Sequence, residues 1–200
     1  TSGVQLIGKN PKSANKCTTL FEHDKVSKCY FLMAHKKSQI NFPFTANERL
    51  ENKEDFLPRQ YIHCFPEDGV TGKHAKTSYE ELYQDDDYIL ALAFPRTGRQ
   101  HQIRTHAAFH GFPLVGDKMY NGDPTVFMRF KDEVATKEDH DLMQISRHAL
   151  HAVALKLPYP SEKEPSLFRS RIPDDFIDWI QRNLKNVDRD ELETIIEKMI

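Results

Sequence analysis

The sequence predicts an α+β fold, and three observations lead there. Strand-like and helix-like segments alternate along its 200 residues without the regular βαβ repeat of a parallel sheet. A strong hairpin signal sits near the middle, and two helices close the chain after the last strand. Hydrophobic residues make up 38% and charged residues 29%, enough for one sizeable core and one catalytic domain spanning residues 1–200. The longest apolar run, Tyr88 to Phe94, is far too short to span a bilayer.

Taken in order, Val4 to Lys9 reads as a strand ended by the Asn10-Pro11 turn. Pro11 suits the start of a helix running to about His23, with Ala14, Cys17, Leu20 and Phe21 at helical spacing. Lys28 to Ala34 reads as a strand, and Asn41 to Pro58 as a polar loop or irregular ribbon. Thr77 to Gln84 alternates, Tyr88 to Phe94 is continuously apolar, and the acidic turn Asp85-Asp86-Asp87 joins them into a hairpin. Arg99 to His110 reads as a helix closed by Gly111. Pro124 to Lys131 reads as a short helix, and the charged stretch Thr136 to Gln144 as a loop. His148 to Leu157 reads as a strand stopped by Pro158 and Pro160. Asp174 to Asn183 and Asp188 to Ile200 read as the closing helices, with Asp188 as an N-cap.

Charge is uneven although the net value is only −2. Seven lysines lie between Thr1 and Ile40 against Glu22 and Asp24, and acids outnumber bases after Asp174. One face could therefore hold phosphate while the C-terminal part stays solvated. Cys17, Cys29 and Cys64 form no CxxC pair, which argues against a disulfide framework or zinc knuckle and for a reducing, cytoplasmic setting. His106 and His110 stand at i, i+4, but no third ligand has a convincing spacing, so no metal is expected.

The most unusual segment runs from Arg96 to His106 and holds three arginines, two histidines and no acid. A glycine turn opens a helix there, and helix N-termini favour anions. Arg99 and Gln102 are placed on one face; Arg104 lies beside the apolar Ile103 and Ala107, so it is expected to be partly buried and to need a partner. A charged surface helix would account for much of this, and Tyr30 taken alone is most simply a core aromatic.

Arg96 to His106, followed by Gly111-Phe112-Pro113-Leu114-Val115-Gly116-Asp117, resembles the third motif of the RluA-like family of pseudouridine synthases. Thr1-Ser2-Gly3-Val4-Gln5-Leu6 resembles the tail of the first motif, and Val26-Ser27-Lys28-Cys29-Tyr30 the second. Gly72 to Tyr79 and Arg147 to Ala152 follow in the family's order. The resemblance implies a bent, mostly antiparallel sheet flanked by helices, with a central RNA-binding cleft. It implies isomerisation of specific uridines to pseudouridine in structured ribosomal or transfer RNA, by a monomer using no cofactor. Tyr30 would stack on the flipped uracil, with a proton-removing role assigned in the family, and Arg104 would pair with the catalytic aspartate. Lys28, Arg96, Arg99, His101 and Gln102 are the expected RNA contacts. The family places that aspartate directly before the Thr-Ser-Gly string, upstream of Thr1, and it is not among these 200 residues. Asp117 is expected to serve only as a cap in its Gly-Asp turn. Two expectations follow: this chain by itself is inactive, and Arg104 is left without its carboxylate, at a cost of roughly 3–5 kcal/mol. The alternative is a non-catalytic RNA-binding module of the same fold. An enzyme of another family, using the arginine helix as a phosphoryl site, lacks a general base.

Overall fold

Strands apolar on both faces must be covered on both faces, and two such strands form the centre of the molecule. In the computed structural model, which describes residues 1–53, 55–161, 163–185 and 187–200, they are β2 (Ser27–His35) and β8 (Tyr88–Pro95). The two pair antiparallel from Tyr30–Ala93 to His35–Tyr88. Alternation divides their side chains between two cores. Phe31, Met33, Leu90 and Leu92 face helix α5 (Asp174–Asn183), where Phe176, Trp179 and Ile180 are buried. Leu32, Ala34, Ile89, Ala91 and Ala93 face helix α2 (Gln102–Phe109).

The large sheet grows outward from this pair. On one side β8 pairs with β7 (Thr77–Gln84), which pairs with β3 (Phe44–Ala46). On the other, β2 pairs with β9 (Leu150–Pro160). The far edge of β9 is shared: β1 (Ser2–Gly3) runs parallel against His151 and Ala152, and β10 (Pro165–Arg169) runs antiparallel along Ala154 to Pro160. A second sheet of three strands sits apart, with β4 (Arg49–Asn52) between β5 (Ile62–Phe65) and β6 (Lys73–His74). Helix α1 (Pro11–Glu22) follows β1, and α3 (Thr125–Lys131) and α4 (Lys137–Met143) lie between α2 and β9. Helix α6 (Arg189–Met199) ends the chain, buries Leu192 and Ile196, and is capped by Asp188, which accepts from the amides of Asp190 and Glu191.

The α+β reading, the hairpin and the closing helices match this architecture; several local expectations do not. Val4 to Lys9 is not a strand. Val4 donates one bond to Ala152, and beyond that the edge of β9 is taken by β10, so Val4 and Leu6 instead pack on Leu155 and Leu157. Asn41 to Pro58 contains β3 and β4. Thr136 to Gln144 is largely helix α4, because Thr136 and Asp139 form a capping box that the charged composition concealed. Pro158 and Pro160 do not stop β9; the pairing with β10 shifts register between Pro165 and Ser166, a bulge of the kind prolines tolerate. The three cysteines are free thiols. No helix among the described residues is long and apolar enough to cross a membrane.

Candidate RNA-modifying site

Tyr30 reaches the site through an irregularity in its own strand. The pairing of β2 with β9 slips between Cys29, opposite Ala154, and Tyr30, opposite Ala152. Such a bulge turns a strand locally and re-aims a side chain. Tyr30 lines a cleft of about 360 Å³ together with Lys28, Arg99, His101, Arg104 and His148, and no carboxylate among the described residues lines it. Burial raises the Tyr30 pKa, so the resting side chain is a neutral phenol.

Most of the segment Thr97 to Arg104 lines the same cleft. Helix α2 begins only at Gln102, because His101 adopts a left-handed conformation with φ of 53°. The expected helical face shared by Arg99 and Gln102 is therefore absent: Arg99 lies in the preceding loop. That loop is closed by Gln102, whose Oε1 accepts from Thr97 Oγ1 (2.7 Å) and the Arg99 amide (2.9 Å). Its Nε2 donates to the Lys76 carbonyl (3.0 Å) and Thr77 Oγ1 (2.9 Å). Gln102 touches the cleft, but its hydrogen-bonding capacity is engaged inside the protein. Lys28 donates to the Thr97 carbonyl (3.2 Å) and Arg99 to the His74 carbonyl (3.1 Å). Arg96 is exposed and lines a neighbouring depression with Asp24 and Glu80, which it shares with Lys28 but with no other predicted residue.

Arg104 has the partner its burial demands, and it is not the one the sequence suggested. Its Nε and Nη2 donate to the two carboxylate oxygens of Asp117, each at 2.7 Å. The Arg104 side chain is 12% exposed and that of Asp117 0%. The expectation of an orphaned, destabilising Arg104 is thus overturned. Gly116, at φ of 72°, brings the turn within reach: a Cβ there would stand 2.1 Å from the Arg147 carbonyl oxygen. Asp117 also fills its expected capping role, accepting from the amides of Met119 (3.0 Å) and Tyr120 (3.2 Å). Burial pushes its pKa up, but the bonds and charge of Arg104 outweigh this and hold it below the usual carboxylate value.

Tyr120 was missed by sequence reasoning. Its ring lies 5.0 Å from the Arg104 guanidinium, and its hydroxyl accepts from the Ile62 amide of β5 (2.9 Å) and bonds His101 Nδ1 (3.0 Å). One side chain thus joins the small sheet, the loop and the cleft arginine. Burial and the Arg104 charge lower His148 to about 4 and His101 likewise, so both are neutral at pH 7. The cleft has the chemistry of a nucleotide site: an aromatic face, fixed cations and no competing anion.

Comparisons with known proteins agree. A family model described as RNA pseudouridylate synthase matches residues 1–109. The chain is 33% identical over 178 residues to an RNA pseudouridine synthase of Chlorobaculum parvum, covering 88% of this chain and 52% of that protein. It is 31% identical over 179 residues to an RNA pseudouridine synthase of Zymomonas mobilis, covering 89% and 71%. It is 33% identical over 185 residues to ribosomal large subunit pseudouridine synthase D of Pasteurella multocida, covering 90% and 52%. The chain spans about half the length of most of the curated relatives it matches. Human RNA pseudouridylate synthase domain containing 4 has the same fold, with a TM-score of 0.63 at 19% identity over 86% of this chain and 68% of its own. With its arginine helix, its Gly-Asp turn and its strand-borne tyrosine in the order the RluA-like motifs require, the chain belongs to the RNA pseudouridylate synthase family.

Proposed function

We propose that the protein isomerises uridine to pseudouridine in structured RNA, with this chain supplying the uracil-binding cleft. The observation that carries the reading is that Tyr30 and Arg104 line one cleft together with Lys28 and Arg99. The reaction breaks the bond between ribose C1′ and uracil N1, forms one from C1′ to C5, and moves a proton from C5 to N1. A paired uridine must first leave its stack, at a cost of a few kcal/mol. Stacking on Tyr30 returns about 1–3 kcal/mol. Lys28 and Arg99 are assigned to phosphate, where they set position without reading sequence. His101 shapes the wall, Gln102 locks the loop, and Arg96 contacts RNA outside the cleft. The segments 39–64 and 124–144 select the RNA, a ribosomal or transfer RNA stem-loop bound by a monomer in the cytoplasm.

The nucleophilic aspartate comes from the segment the family places before Thr1. Arg104 is suited to receive it, since Asp117 uses only Nε and Nη2, and Nη1 has no hydrogen-bond partner among the described residues. The test is pseudouridine formation on unmodified total RNA, comparing this chain with a longer protein carrying the His-Arg-Leu-Asp segment. Activity in the longer protein alone supports the assignment. Activity in neither, with RNA binding intact, favours the non-catalytic module. Turnover by the 200-residue chain itself would show that another carboxylate does the chemistry.

A further inference from the structure

We propose that Glu48, Cys64 and His106 form a site for a zinc-type divalent transition metal, with water as the fourth ligand and His110 held beside Glu48, that braces the small sheet against helix α2. His106 is on α2, His110 caps its C-terminus one turn later, Cys64 is on β5, and Glu48 lies between β3 and β4. The fold therefore brings His106 further ligands that spacing in the sequence did not reveal. The ligand atoms of Glu48, Cys64 and His106 all lie within 4.8 Å of one another. With zinc bonds of about 2.0–2.3 Å, tetrahedral ligand atoms stand roughly 3.3–3.8 Å apart, so the side chains need close by only about 1 Å. His110 Nε2 is 3.0 Å from Glu48 Oε1.

Two further features point to a cation. Glu48 Oε2 is buried and has no hydrogen-bond donor. A buried carboxylate oxygen left without a donor is costly, and a metal is one of the few partners that would satisfy it. The His106 ring also has, at its other nitrogen, an outer partner that can accept once Nε2 turns to a metal. Its Nδ1 is 3.1 Å from Thr77 Oγ1, which in turn accepts from Gln102. That leaves Nε2 to coordinate, at present 3.2 Å from the Glu48 carbonyl oxygen.

The charges balance. One carboxylate and one thiolate neutralise a dication, and sulfur with imidazole selects zinc-type ions over calcium or magnesium. Burial, then the Glu48 charge, pushes the Cys64 thiol up to about 12, so it is protonated until a metal displaces the proton. Binding forms metal–sulfur, metal–nitrogen and metal–oxygen bonds, and the thiol proton leaves to solvent. The imidazole proton passes from Nε2 to Nδ1, where it is donated to Thr77.

The test uses the reduced 200-residue chain, stripped with chelator and titrated with cobalt(II). The expected result is the intense visible absorption of tetrahedral cobalt with a sulfur-to-cobalt charge-transfer band, displaced by zinc. Cys64→Ser is expected to lose that band, and zinc is expected to raise the melting temperature of the parent chain but not of this variant. If Cys64→Ser does not fold, Glu48→Gln serves, with zinc affinity expected to fall roughly tenfold or more. Only the weak spectrum of octahedral aqueous cobalt would overturn the proposal. So would a charge-transfer band that survives in Cys64→Ser, or unchanged zinc affinity in Glu48→Gln. None of these readouts involves RNA, so they stand or fall separately from the proposed reaction.

Discussion

Two arginine–aspartate pairs in this molecule share one geometry and differ in burial and in what the arginine faces. Arg104 meets Asp117 through Nε and Nη2, both at 2.7 Å; Arg129 meets Asp139 through the same atoms at 2.7 and 2.6 Å. Both aspartates also accept backbone amides, Asp117 in the turn after Gly116 and Asp139 in the capping box of α4. The first pair is 12% and 0% exposed, the second 35% and 7%. Arg104 lies against the Tyr120 ring and lines the cleft, whereas Arg129 also donates to Thr125 on its own helix. Bond lengths do not distinguish a cleft device from a staple between two short helices. Burial, and what the spare edge of the guanidinium faces, do.

The largest expected effect is at the cleft pair. Asp117→Asn leaves Arg104 buried without a carboxylate and is expected to cost about 3–5 kcal/mol in a urea melt of this chain. A loss no larger than that from Asp139→Asn would break the distinction. Next comes Tyr30→Leu, expected to weaken binding of a uridine-containing RNA by about 1–3 kcal/mol, while Tyr30→Phe binds as the parent does. Fluorescence anisotropy with labelled RNA measures both.

Acid separates the two pairs further. His35, His101 and His148 are held near 4 in the folded chain, chiefly by burial, against about 6.5 when unfolded. The unfolded chain therefore binds more protons in that window, so stability is full above about pH 6.5 and is lost as pH falls toward 4. Asp117, whose pKa is depressed, adds its own loss only below the usual carboxylate range. Melts across this window should show the early loss, and replacing His101 and His148 with Asn should flatten it. The smallest effect is expected for Arg129→Ala, a modest fall in melting temperature that shrinks with added salt, because that pair is reached by solvent.

Much of this was legible because local chemistry decided it. The apolar run of β8, the acidic turn before it and the Asp188 cap are written in adjacent residues. The burial of Arg104 followed from Ile103 and Ala107 beside it. What was not legible depended on competition at a distance. Val4 to Lys9 reads like a strand, yet β10, about 160 residues later, holds the edge it would have used. That Asp117 clasps Arg104 was not legible, because nothing in the spacing tells a capping aspartate from one that also holds a guanidinium. Tyr120 carried no signal at all, since its importance lies in Ile62 and His101 meeting at one hydroxyl.

Among the described residues the small sheet shares no strand pairing with the large one. Sheets joined by backbone ladders evolve together, because altering one register disturbs its neighbour. Here the link to the cleft runs through side chains, with Tyr120 bonding the backbone of β5. The stretch from β4 to β6 is therefore held to the rest of the molecule by side chains and not by a shared ladder. Its loops can lengthen or change composition without shifting a register of the large sheet, on which Tyr30 sits.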